Sequence, residues 1–380
     1  MNSYFQLDKN IVHLNHAAVA PWPAVTRDAV IAFAKENASI GSQNYNLWMK
    51  TEQQLKQKLA QLINAQSADE IAILKNTSEG LSLIAQGLAI KAGDNIVVPA
   101  EEFPSNKVVW QALESQGVAI RFIPVQDVAE PEQALINAMD ANTRLLSCSS
   151  VQFARGLVLD LNVLGKACKQ HNTLFCVDAI QSLGAMCFDA QACGADFVVA
   201  DGHKWMCGPE GTALFYCRQA VQDELQLSQY GWHMLANAFD FSAQSNATPL
   251  AEQIASGAQR FESGSPNMMG IAALNASLGL LLEIGIETIQ SKVLANAAYL
   301  LKQLAFVSDI SIVSPTQTGK YAGIVTFIKN NIDNEKLYQH LQDNNVICAN
   351  RGGGIRFSPH FYTQQQDMDK AVKIVRDFVQ

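Results

Sequence analysis

The chain has 380 residues, of which 48% are hydrophobic and 16% charged, and its formal net charge is −8 at pH 7. This composition excludes a disordered chain, and a chain of this length buries a large core without disulfides or a structural metal. The acidic charge balance argues against a protein that binds nucleic acid or an anionic membrane surface.

Seven short apolar runs, separated by helical patterns, fill the region from about residue 70 to residue 218. Strands that are apolar along their whole length are usually covered by helices on both faces. The alternation of such strands with helices predicts a mostly parallel α/β sheet. The predicted strands are IAIL (71–74), NIVVP (95–99), AIRFIP (119–124), RLLSCSS (144–150), LFCVD (174–178), DFVVA (196–200) and TALFYC (212–217), and helices are predicted at 78–90, from Asn106 and at 161–171.

The pattern changes after about residue 270, where long helical patterns precede further short strands. This predicts a smaller α+β unit. We place a large domain at residues 15–284 and a small C-terminal domain at residues 285–380 together with residues 1–14, and we expect the two to pack closely because no flexible linker separates them. In this part helices are predicted at 268–285, 286–304, 335–343 and at the end of the chain, and strands near 310 and at 323–328, 346–349 and 354–358.

The chain shows no signal for secretion or membrane insertion. It begins MNSYFQLDKN, without a basic start followed by an apolar stretch, and no apolar run approaches the roughly 18 residues of a membrane span. Its eight cysteines include no C-x-x-C pair and most lie inside apolar runs, so we expect free buried thiols in a reducing compartment. These observations predict a cytoplasmic protein.

A lysine and a carboxylate stand at the ends of two predicted strands. Lys204 closely follows one strand and Asp178 ends another, and open α/β sheets bind ligands at the carboxyl ends of their strands. Burial there lowers the pKa of an amine and makes it a usable nucleophile, while a buried carboxylate needs a cationic partner. As isolated residues, Lys204 could be an ordinary loop lysine and Asp178 a helix N-cap.

These residue types match the chemistry of pyridoxal phosphate (PLP). That cofactor requires a lysine for a Schiff base and an acid that keeps its pyridine nitrogen protonated. Lys204 and Asp178 supply both, and Gln181 adds a polar group for the ring hydroxyl.

A phosphate site is predicted in NTSEGLSL (76–83), between a strand and a helix. Its hydroxyl groups and first backbone amides suit an anion at a helix N-terminus. Asn76 and Glu79 also have the spacing of a capping box, so capping alone could explain this segment.

In combination, VDAIQS (177–182) followed by ADGHKWMCGP (200–209) resembles the class V aminotransferase type of PLP enzymes of fold type I. This group includes cysteine desulfurases, kynureninase and isopenicillin epimerase-like proteins. The resemblance extends from LNHAAVAP (14–21) to RFSPHFYT (356–363), nearly the whole chain. It implies a large α/β domain with a mostly parallel seven-stranded sheet, a small C-terminal α+β domain, PLP as the cofactor, and a homodimer with shared active sites.

The resemblance also implies roles around the cofactor ring. Lys204 matches the Schiff-base lysine, Asp178 the acid paired with the pyridine nitrogen, and Gln181 the residue near the ring oxygen. Phe103, in EEFPSN, matches the aromatic residue that stacks on the ring. Desulfurases typically have histidine there and kynureninase-like members have phenylalanine. Phe103 could instead be a core residue.

Further matches concern the cofactor phosphate. Thr77 and Ser78 match the hydroxyl turn that binds it, and His203 resembles the histidine that also reaches it. Gly264 and Ser265 match the segment that reaches the phosphate of the partner subunit. As structural alternatives, His203 could simply form a hydrogen bond to the backbone, and Ser265, which precedes a proline, could start a helix.

Arg356, in GIRFSPHFY, matches the arginine that holds the substrate carboxylate. Its planar guanidinium group suits a carboxylate bound through two hydrogen bonds, although a solvated arginine is the alternative. Three glycines (352–354) precede it. We therefore expect an amino acid as the substrate.

Several positions depart from the cysteine desulfurase pattern. Desulfurases carry a mobile-loop cysteine before the arginine, whereas Cys348 ends an apolar run here and is interpreted as an ordinary buried thiol. Phe153 takes the place where desulfurases often have asparagine for the substrate carboxylate, and Asp201 takes that of a phosphate-binding serine. These departures argue against a desulfurase.

We expect an enzyme that acts on an amino acid through a Schiff base and an alpha-carbanion, with Lys204 as general base and transamination as the outcome. Elimination, desulfuration and epimerisation share every step up to the carbanion, so the sequence does not separate them. A nucleotide-dependent oxidoreductase would need G-x-G-x-x-G, which the chain lacks, and a cofactor-binding regulator is disfavoured by the absence of a basic patch. No metal site is predicted, and Asn15 and His16 have no assigned role.

Overall fold

The computed structural model describes residues 4–240 and 248–379, and its elements are numbered in chain order. The helices are α1 (Ala24–Ile40), α2 (Tyr45–Leu62), α3 (Thr77–Gly87), α4 (Ser105–Gln111), α5 (Pro131–Asn137), α6 (Leu161–His171), α7 (Ala190–Cys193), α8 (Leu250–Gln253), α9 (Met268–Ile284), α10 (Ile286–Ala305), α11 (Asn334–Asp343) and α12 (Gln365–Asp377). The strands are β1 (Val12–His13), β2 (Ile71–Leu74), β3 (Asn95–Pro99), β4 (Ala119–Ile123), β5 (Thr143–Ser149), β6 (Leu174–Asp178), β7 (Phe197–Asp201), β8 (Ala213–Cys217), β9 (Ile310–Ile312), β10 (Val325–Lys329), β11 (Val346–Ile347), β12 (Ala349–Arg351) and β13 (Gly354–Phe357).

The strands predicted between residues 70 and 218 form one seven-stranded sheet, in the spatial order β2–β8–β7–β6–β5–β3–β4. Neighbours from β7 to β4 are parallel, whereas β8 runs antiparallel to both β7 and β2. The predicted mostly parallel sheet is therefore confirmed. Because β2 and β7 both oppose β8, the carboxyl ends of β2, β3, β5, β6 and β7 lie at the same edge of the sheet.

Both faces of this sheet are covered, which explains why its strands are apolar at successive positions. In β7 the neighbours Val198 and Val199 are fully buried but belong to different apolar clusters. Leu55 of α2 and Leu274 of α9 lie in the cluster of Val198, and Leu81 of α3 lies in that of Val199. Successive side chains of a strand point to opposite faces, so a strand covered on both sides needs apolar residues throughout.

Two long helices, α1 and α2, occupy a region for which the sequence analysis predicted no elements. The N-cap of α1 is Pro23, which makes no side-chain hydrogen bond, and Thr26 is the only buried residue of this helix. Both helices pack against α9. Tertiary packing, rather than a cap or a strong apolar stripe, therefore defines α1, which is why its sequence gives little signal.

The C-terminal part contains the four-stranded antiparallel sheet β12–β13–β10–β9 together with α10, α11 and α12. The start of the chain joins it, because β1 pairs in parallel with β11. Leu14 shares an apolar cluster with Phe327 and Phe357. The α+β unit is thus present, and its boundary between residues 284 and 285 stays a prediction. The predicted strand 346–349 is divided, since β11 pairs with β1 and β12 pairs with β13.

Two further expectations concern membrane spans and thiols. No single helix in the described ranges is long and apolar enough to cross a bilayer; α9 and α10 meet the length and composition test only as a pair bent by 83°. All eight cysteines are free, as predicted. Cys187 is exposed, however, and only the other seven are buried.

Candidate functional site

A cavity of about 330 Å³ lies at the sheet edge where the carboxyl ends of the parallel strands meet. Its walls come from the segments that follow β2, β3, β6 and β7 and from the start of α3. This is the location that open α/β sheets use for ligands. Most of the residues predicted to form a site line it, namely Thr77, Ser78, Phe103, Asp178, Gln181, His203 and Lys204.

Lys204 and Asp178 reach the cavity from neighbouring strands, since Asp178 ends β6 and Lys204 follows β7. The pKa of Lys204 is lowered to about 8, mainly because the amine is buried. The charge of Asp178 acts in the opposite direction and raises this pKa. The pKa of Asp178 is raised to about 6, mainly because the carboxyl group is buried. The hydrogen bond from the Ile180 N–H and the charge of Lys204 act in the opposite direction and lower this pKa. Part of the amine is therefore neutral and nucleophilic near neutral pH. Asp178 accepts the Ile180 N–H (3.0 Å) within a turn, so the helix-cap alternative is wrong.

Phe103 forms an apolar wall of the cavity rather than part of the core, because it is only half-buried. The Lys204 Nζ atom lies 5.6 Å from the centroid of its ring. Phe153 meets the same ring edge-on, with 5.2 Å between centroids and an interplanar angle of 80°. Both rings line the cavity, and because they are nearly perpendicular each offers a separate apolar face or edge to an aromatic ligand.

The start of α3 forms the polar end of the cavity. Asn76 caps this helix, since its Oδ1 accepts the N–H of Glu79 (2.9 Å). Thr77 Oγ1 accepts the backbone N–H of Asp201 (3.1 Å), which leaves its own O–H free to donate. His203 Nδ1 lies 3.0 Å from Asp201 Oδ1. Capping and a free hydroxyl group therefore coexist here, and the helix N-terminus favours an anion.

Arg356, on β13, is fully buried yet only partly bonded. Its Nη1 donates to the backbone oxygen of Phe153 (2.6 Å), whereas Nε and Nη2 have no partner within residues 4–240 and 248–379. Burial, and then the charge of Arg351, lower its pKa to about 9. Nε and Nη2 form the side-on fork that binds a carboxylate through two hydrogen bonds. Arg356 is not among the residues that line the cavity of Lys204, whereas Arg351 is. Unpaired buried donors are costly, but the role of Arg356 toward a substrate carboxylate stays a prediction.

Gly264 and Ser265 do not line the cavity of Lys204. They line a separate cavity of about 530 Å³ together with Lys75 and Glu79. Both residues are exposed, and their role toward a partner subunit stays a prediction. The alternative that Ser265 starts a helix is wrong, because α9 begins at Met268 after its N-cap.

The sequence analysis missed a buried carboxyl group beside this site. Glu102 precedes Phe103 and receives hydrogen bonds from the backbone N–H (2.5 Å) and the hydroxyl group of Ser149. Ser149 is the direct neighbour of Asp178 across β5 and β6. Burial raises the pKa of Glu102 to about 7, with Ser149 lowering it and Asp178 raising it. The adjacent Glu101 and Glu102 were the available signal, but the sequence does not tell which of them points inward.

The groups around the cavity fit PLP. A buried amine with a lowered pKa can react with a carbonyl group, and a carboxylate at the next strand end can pair with a protonated pyridine nitrogen. The start of α3 offers hydroxyl and amide groups to a phosphate. Arg356 lies outside the lining residues of this cavity, and its orphaned donors have the geometry that suits a carboxylate.

Comparisons with known proteins agree with this chemistry. A family model described as "Aminotransferase class-V" matches residues 12–371. A probable cysteine desulfurase from Methanothermobacter thermautotrophicus is 30% identical, over 94% of this chain and 92% of the relative. The match therefore includes both the sheet and the C-terminal unit.

Solved structures share the fold. The cystine C-S lyase C-DES in complex with its reaction product cysteine persulfide has a TM-score of 0.89 and 22% identity, over 97% of this chain and 98% of that one. A C-DES mutant with glycine covalently linked to its PLP cofactor has the same TM-score and identity, over 98% and 97%. The predicted fold is thereby confirmed.

Proposed function

The chain belongs to the class V aminotransferase family of PLP-dependent enzymes, and from this premise we propose that it cleaves the C–S bond of a cysteine-derived amino acid by β-elimination. The observation that carries the proposal is the buried pair Lys204 and Asp178, which faces a cavity that no cysteine lines. The pair supports removal of the alpha proton from an amino acid. Because no cysteine of the described residues lines this cavity, we propose a reaction in which the enzyme itself does not accept the sulfur.

The choice of a C–S bond rests on the relatives. Transamination was the outcome expected from the sequence, but the curated relative with 30% identity is a probable cysteine desulfurase. This similarity favours the alternative of a sulfur-releasing enzyme over an aminotransferase. A cysteine-derived substrate is therefore the better hypothesis.

The absence of a reactive thiol favours elimination over a desulfurase reaction. All eight cysteines lie in the described residues, and none lines the cavity. Cys348, which precedes Arg356, is 2% exposed, and burial raises its pKa to about 12. The thiolate, not the thiol, is the nucleophile, so Cys348 is poorly suited to carry sulfur.

PLP, when bound, supplies a carbonyl group and a ring that takes up the electrons of the substrate's Cα–H bond. In the proposed mechanism the Lys204 amine first holds the cofactor and then takes the Cα proton as general base. Asp178 keeps a proton on the pyridine nitrogen through its negative charge. This carboxylate is buried at the end of β6 and lines the cavity.

The remaining residues bind and orient. The Nε and Nη2 atoms of Arg356 hold the substrate carboxylate, which fixes the direction of the Cα–H bond. Thr77, Ser78 and His203 hold the cofactor phosphate at the start of α3. Phe103 covers the cofactor ring and limits access of water.

The overall reaction balances without an enzyme thiol. A substrate RS–CH₂–CH(NH₃⁺)–COO⁻ and one water give the thiol RSH, pyruvate and ammonium. Lys204 removes the Cα proton, the C–S bond breaks, and the sulfur leaves with the bonding electron pair. Cystine is the test substrate in which the leaving group is a persulfide, as in the product bound by C-DES.

The products separate the three candidate reactions. Purified holoenzyme is incubated with cystine or cysteine, and pyruvate, alanine, ammonia and released sulfur are quantified. The proposal predicts pyruvate, ammonia and sulfur in equal amounts, with no alanine. An amount of alanine equal to that of released sulfur would indicate a desulfurase. A sulfur-containing keto acid that forms only when an acceptor keto acid is added would indicate an aminotransferase. Either result would overturn the proposal.

We also propose that the enzyme acts as a homodimer. Val19, which lines the cavity, is 50% exposed, and Trp22 and Val25, which follow it closely along the chain, are each 41% exposed. Exposed apolar side chains in a segment that borders a site favour a protein partner. Mixing inactive Lys204→Ala subunits with subunits impaired at Ser265 tests this, because shared sites restore activity in mixed dimers and unshared sites do not.

A further inference from the structure

The side-chain amide of Gln181 is held at both ends. Gln181 is 2% exposed and lines the cavity. The indole Nε1 of Trp205 donates to Gln181 Oε1 (2.8 Å). Gln181 Nε2 in turn donates to the backbone oxygen of Ala17 (3.0 Å). An indole N–H can only donate and a carbonyl oxygen can only accept, so the amide cannot be turned over without losing both bonds. Nε2 carries a second N–H, for which the described residues give no acceptor.

Trp205, the residue after Lys204, is itself fixed. It is 1% exposed, and its backbone oxygen accepts a hydrogen bond from His360 Nε2 (3.0 Å). Its ring packs beside the rings of His16 and His360, at centroid distances of 6.0 and 5.4 Å. A Cβ atom at Gly323 would lie 2.5 Å from the Cη2 atom of Trp205. The indole therefore packs closely against Gly323 and the two histidine rings.

We propose that Trp205 is a positioning residue that orients Gln181, so that Nε2–H rather than Oε1 is offered to the ring oxygen of the cofactor. The inference rests on the proposed PLP site and goes beyond it, because Trp205 reaches the cofactor only through Gln181. Lys204 and Trp205 are consecutive, so the same backbone segment carries the cofactor amine and the group that orients its neighbour.

The orientation has a chemical consequence. A hydrogen bond donated to an anionic ring oxygen stabilises that anion, and this lowers the proton affinity of the nearby linkage between Lys204 and the cofactor. Without the indole N–H, the Gln181 amide is free to present Oε1, which repels the anion. Loss of the indole N–H is then expected to raise the pKa at which the bound cofactor changes colour.

The test is an absorbance titration of purified holoenzyme against pH. Trp205→Phe removes the N–H and keeps an aromatic ring, and we expect the spectroscopic pKa to rise by roughly half to one unit, the size of one hydrogen bond. Trp110→Phe is the matched control. Trp110 is equally buried and its Nε1 donates to Asn106 Oδ1 (2.9 Å), but it does not line the cavity. We expect this control to leave the spectroscopic pKa unchanged.

A double-mutant comparison shows whether Trp205 acts through Gln181. In a Gln181→Ala background, Trp205→Phe should cause no further shift. The same shift in both backgrounds, or no shift in Trp205→Phe with the cofactor bound, would overturn the inference. If Trp205→Phe does not fold, Gln181→Glu replaces it as the test variant. A carboxylate oxygen facing the ring oxygen must raise the spectroscopic pKa of the bound cofactor, so an unchanged pKa refutes the inference.

The failure of the proposed function would look different. A wild-type protein without a visible absorbance band that depends on Lys204 would refute the PLP site itself. A band that is present but insensitive to Trp205 would refute only the positioning role.

Discussion

Asp178 and Lys204 each offset part of the pKa shift that burial causes in the other. The amine lowers the pKa of the carboxyl group, and the carboxylate raises the pKa of the amine. Burial is nevertheless the larger effect on both groups, so each has a pKa shifted toward its neutral form. In the cofactor-free protein the attraction between the two groups therefore offsets only part of the effect of burial. A bound cofactor with a cationic ring nitrogen would favour the charged form of Asp178.

We predict that Asp178→Asn stabilises the cofactor-free protein at pH 7. The pKa of Asp178 is raised from 3.8 to about 6 in the folded protein. The contribution of protonated Asp178 to the free energy of unfolding is therefore fully present below about pH 3.8 and is lost as the pH rises through 6. The substitution removes this loss. Urea denaturation should show a higher free energy of unfolding than wild type at pH 7 and a smaller gain near pH 4. An equal gain at both pH values would show that ionisation of Asp178 is not its cause.

We predict that Arg356→Lys weakens catalysis on substrates with a carboxylate. The lysine keeps the charge but loses the fork formed by Nε and Nη2. The residues proposed to hold the cofactor lie outside β13. We expect kcat/KM for cystine to fall roughly 10- to 100-fold, which corresponds to one charge-assisted hydrogen bond. The measurement is steady-state kinetics on holoenzyme whose cofactor content equals that of wild type.

Cystamine, the decarboxylated analogue of cystine, is the control substrate for this variant. It lacks the carboxylate, so Arg356→Lys should reduce its turnover much less. An equal loss on both substrates would mean that Arg356 does not bind the carboxylate.

We predict that Cys348→Ala retains most of the activity. Cys348 is buried, and its only side-chain contact with a polar group among the described residues is the weak one from Gln342 (3.8 Å). A thiol with a pKa raised to about 12 does not attack sulfur near neutral pH. Product assays and mass spectrometry of the wild type during turnover check this. A persulfide on Cys348, together with loss of turnover in the variant, would support a desulfurase instead.

A second buried charge cluster, formed by Glu52, Lys56, His233 and Glu262, should dominate local stability. Lys56 Nζ lies 2.8 Å from Glu262 and 3.1 Å from Glu52, and the three side chains are at most 5% exposed. Burial lowers the pKa of Lys56, but the two carboxylates outweigh it and raise the pKa. Lys56 therefore stays charged and neutralises part of the cluster.

We predict that Lys56→Met lowers the free energy of unfolding by about 3–5 kcal/mol, the effect of leaving buried carboxylates unpaired. Arg27→Gln is the control, because the Arg27–Asp28 pair is exposed and such pairs contribute about 0–1 kcal/mol. Urea denaturation of both variants measures the difference. A loss in Lys56→Met no larger than that of the control would show that the cluster is not held by this lysine.

The sequence predicted the sheet well because its strands are covered on both faces. Residues such as Val198 and Val199 must then both be apolar, which produces an unmistakable run. Asp178 interrupts such a run at its end, and Lys204 lies three residues beyond one, so their approach in space follows from parallel strand ends. The cavity residues were predictable for the same reason.

Other features depend on contacts that the sequence does not encode locally. The bond between Trp205 and Gln181 joins residues 24 positions apart through side-chain geometry alone. The pairing of β1 with β11 involves two residues on each side, too few for a periodic pattern. Glu102 and Glu101 are chemically identical, and only the packing of the chain places one of them beside Ser149.

The most direct test of the central claim is to find the lysine that carries the cofactor. Holoenzyme is reduced with borohydride, digested, and mapped by mass spectrometry, with Lys204→Ala and Lys75→Ala as paired variants. Lys75 lies near the start of α3, but its side chain is 80% exposed, so its removal should change nothing. We expect a reduced PLP adduct on Lys204 in wild type and in Lys75→Ala, and none in Lys204→Ala. An adduct on any other lysine, or one that persists in Lys204→Ala, would contradict that claim.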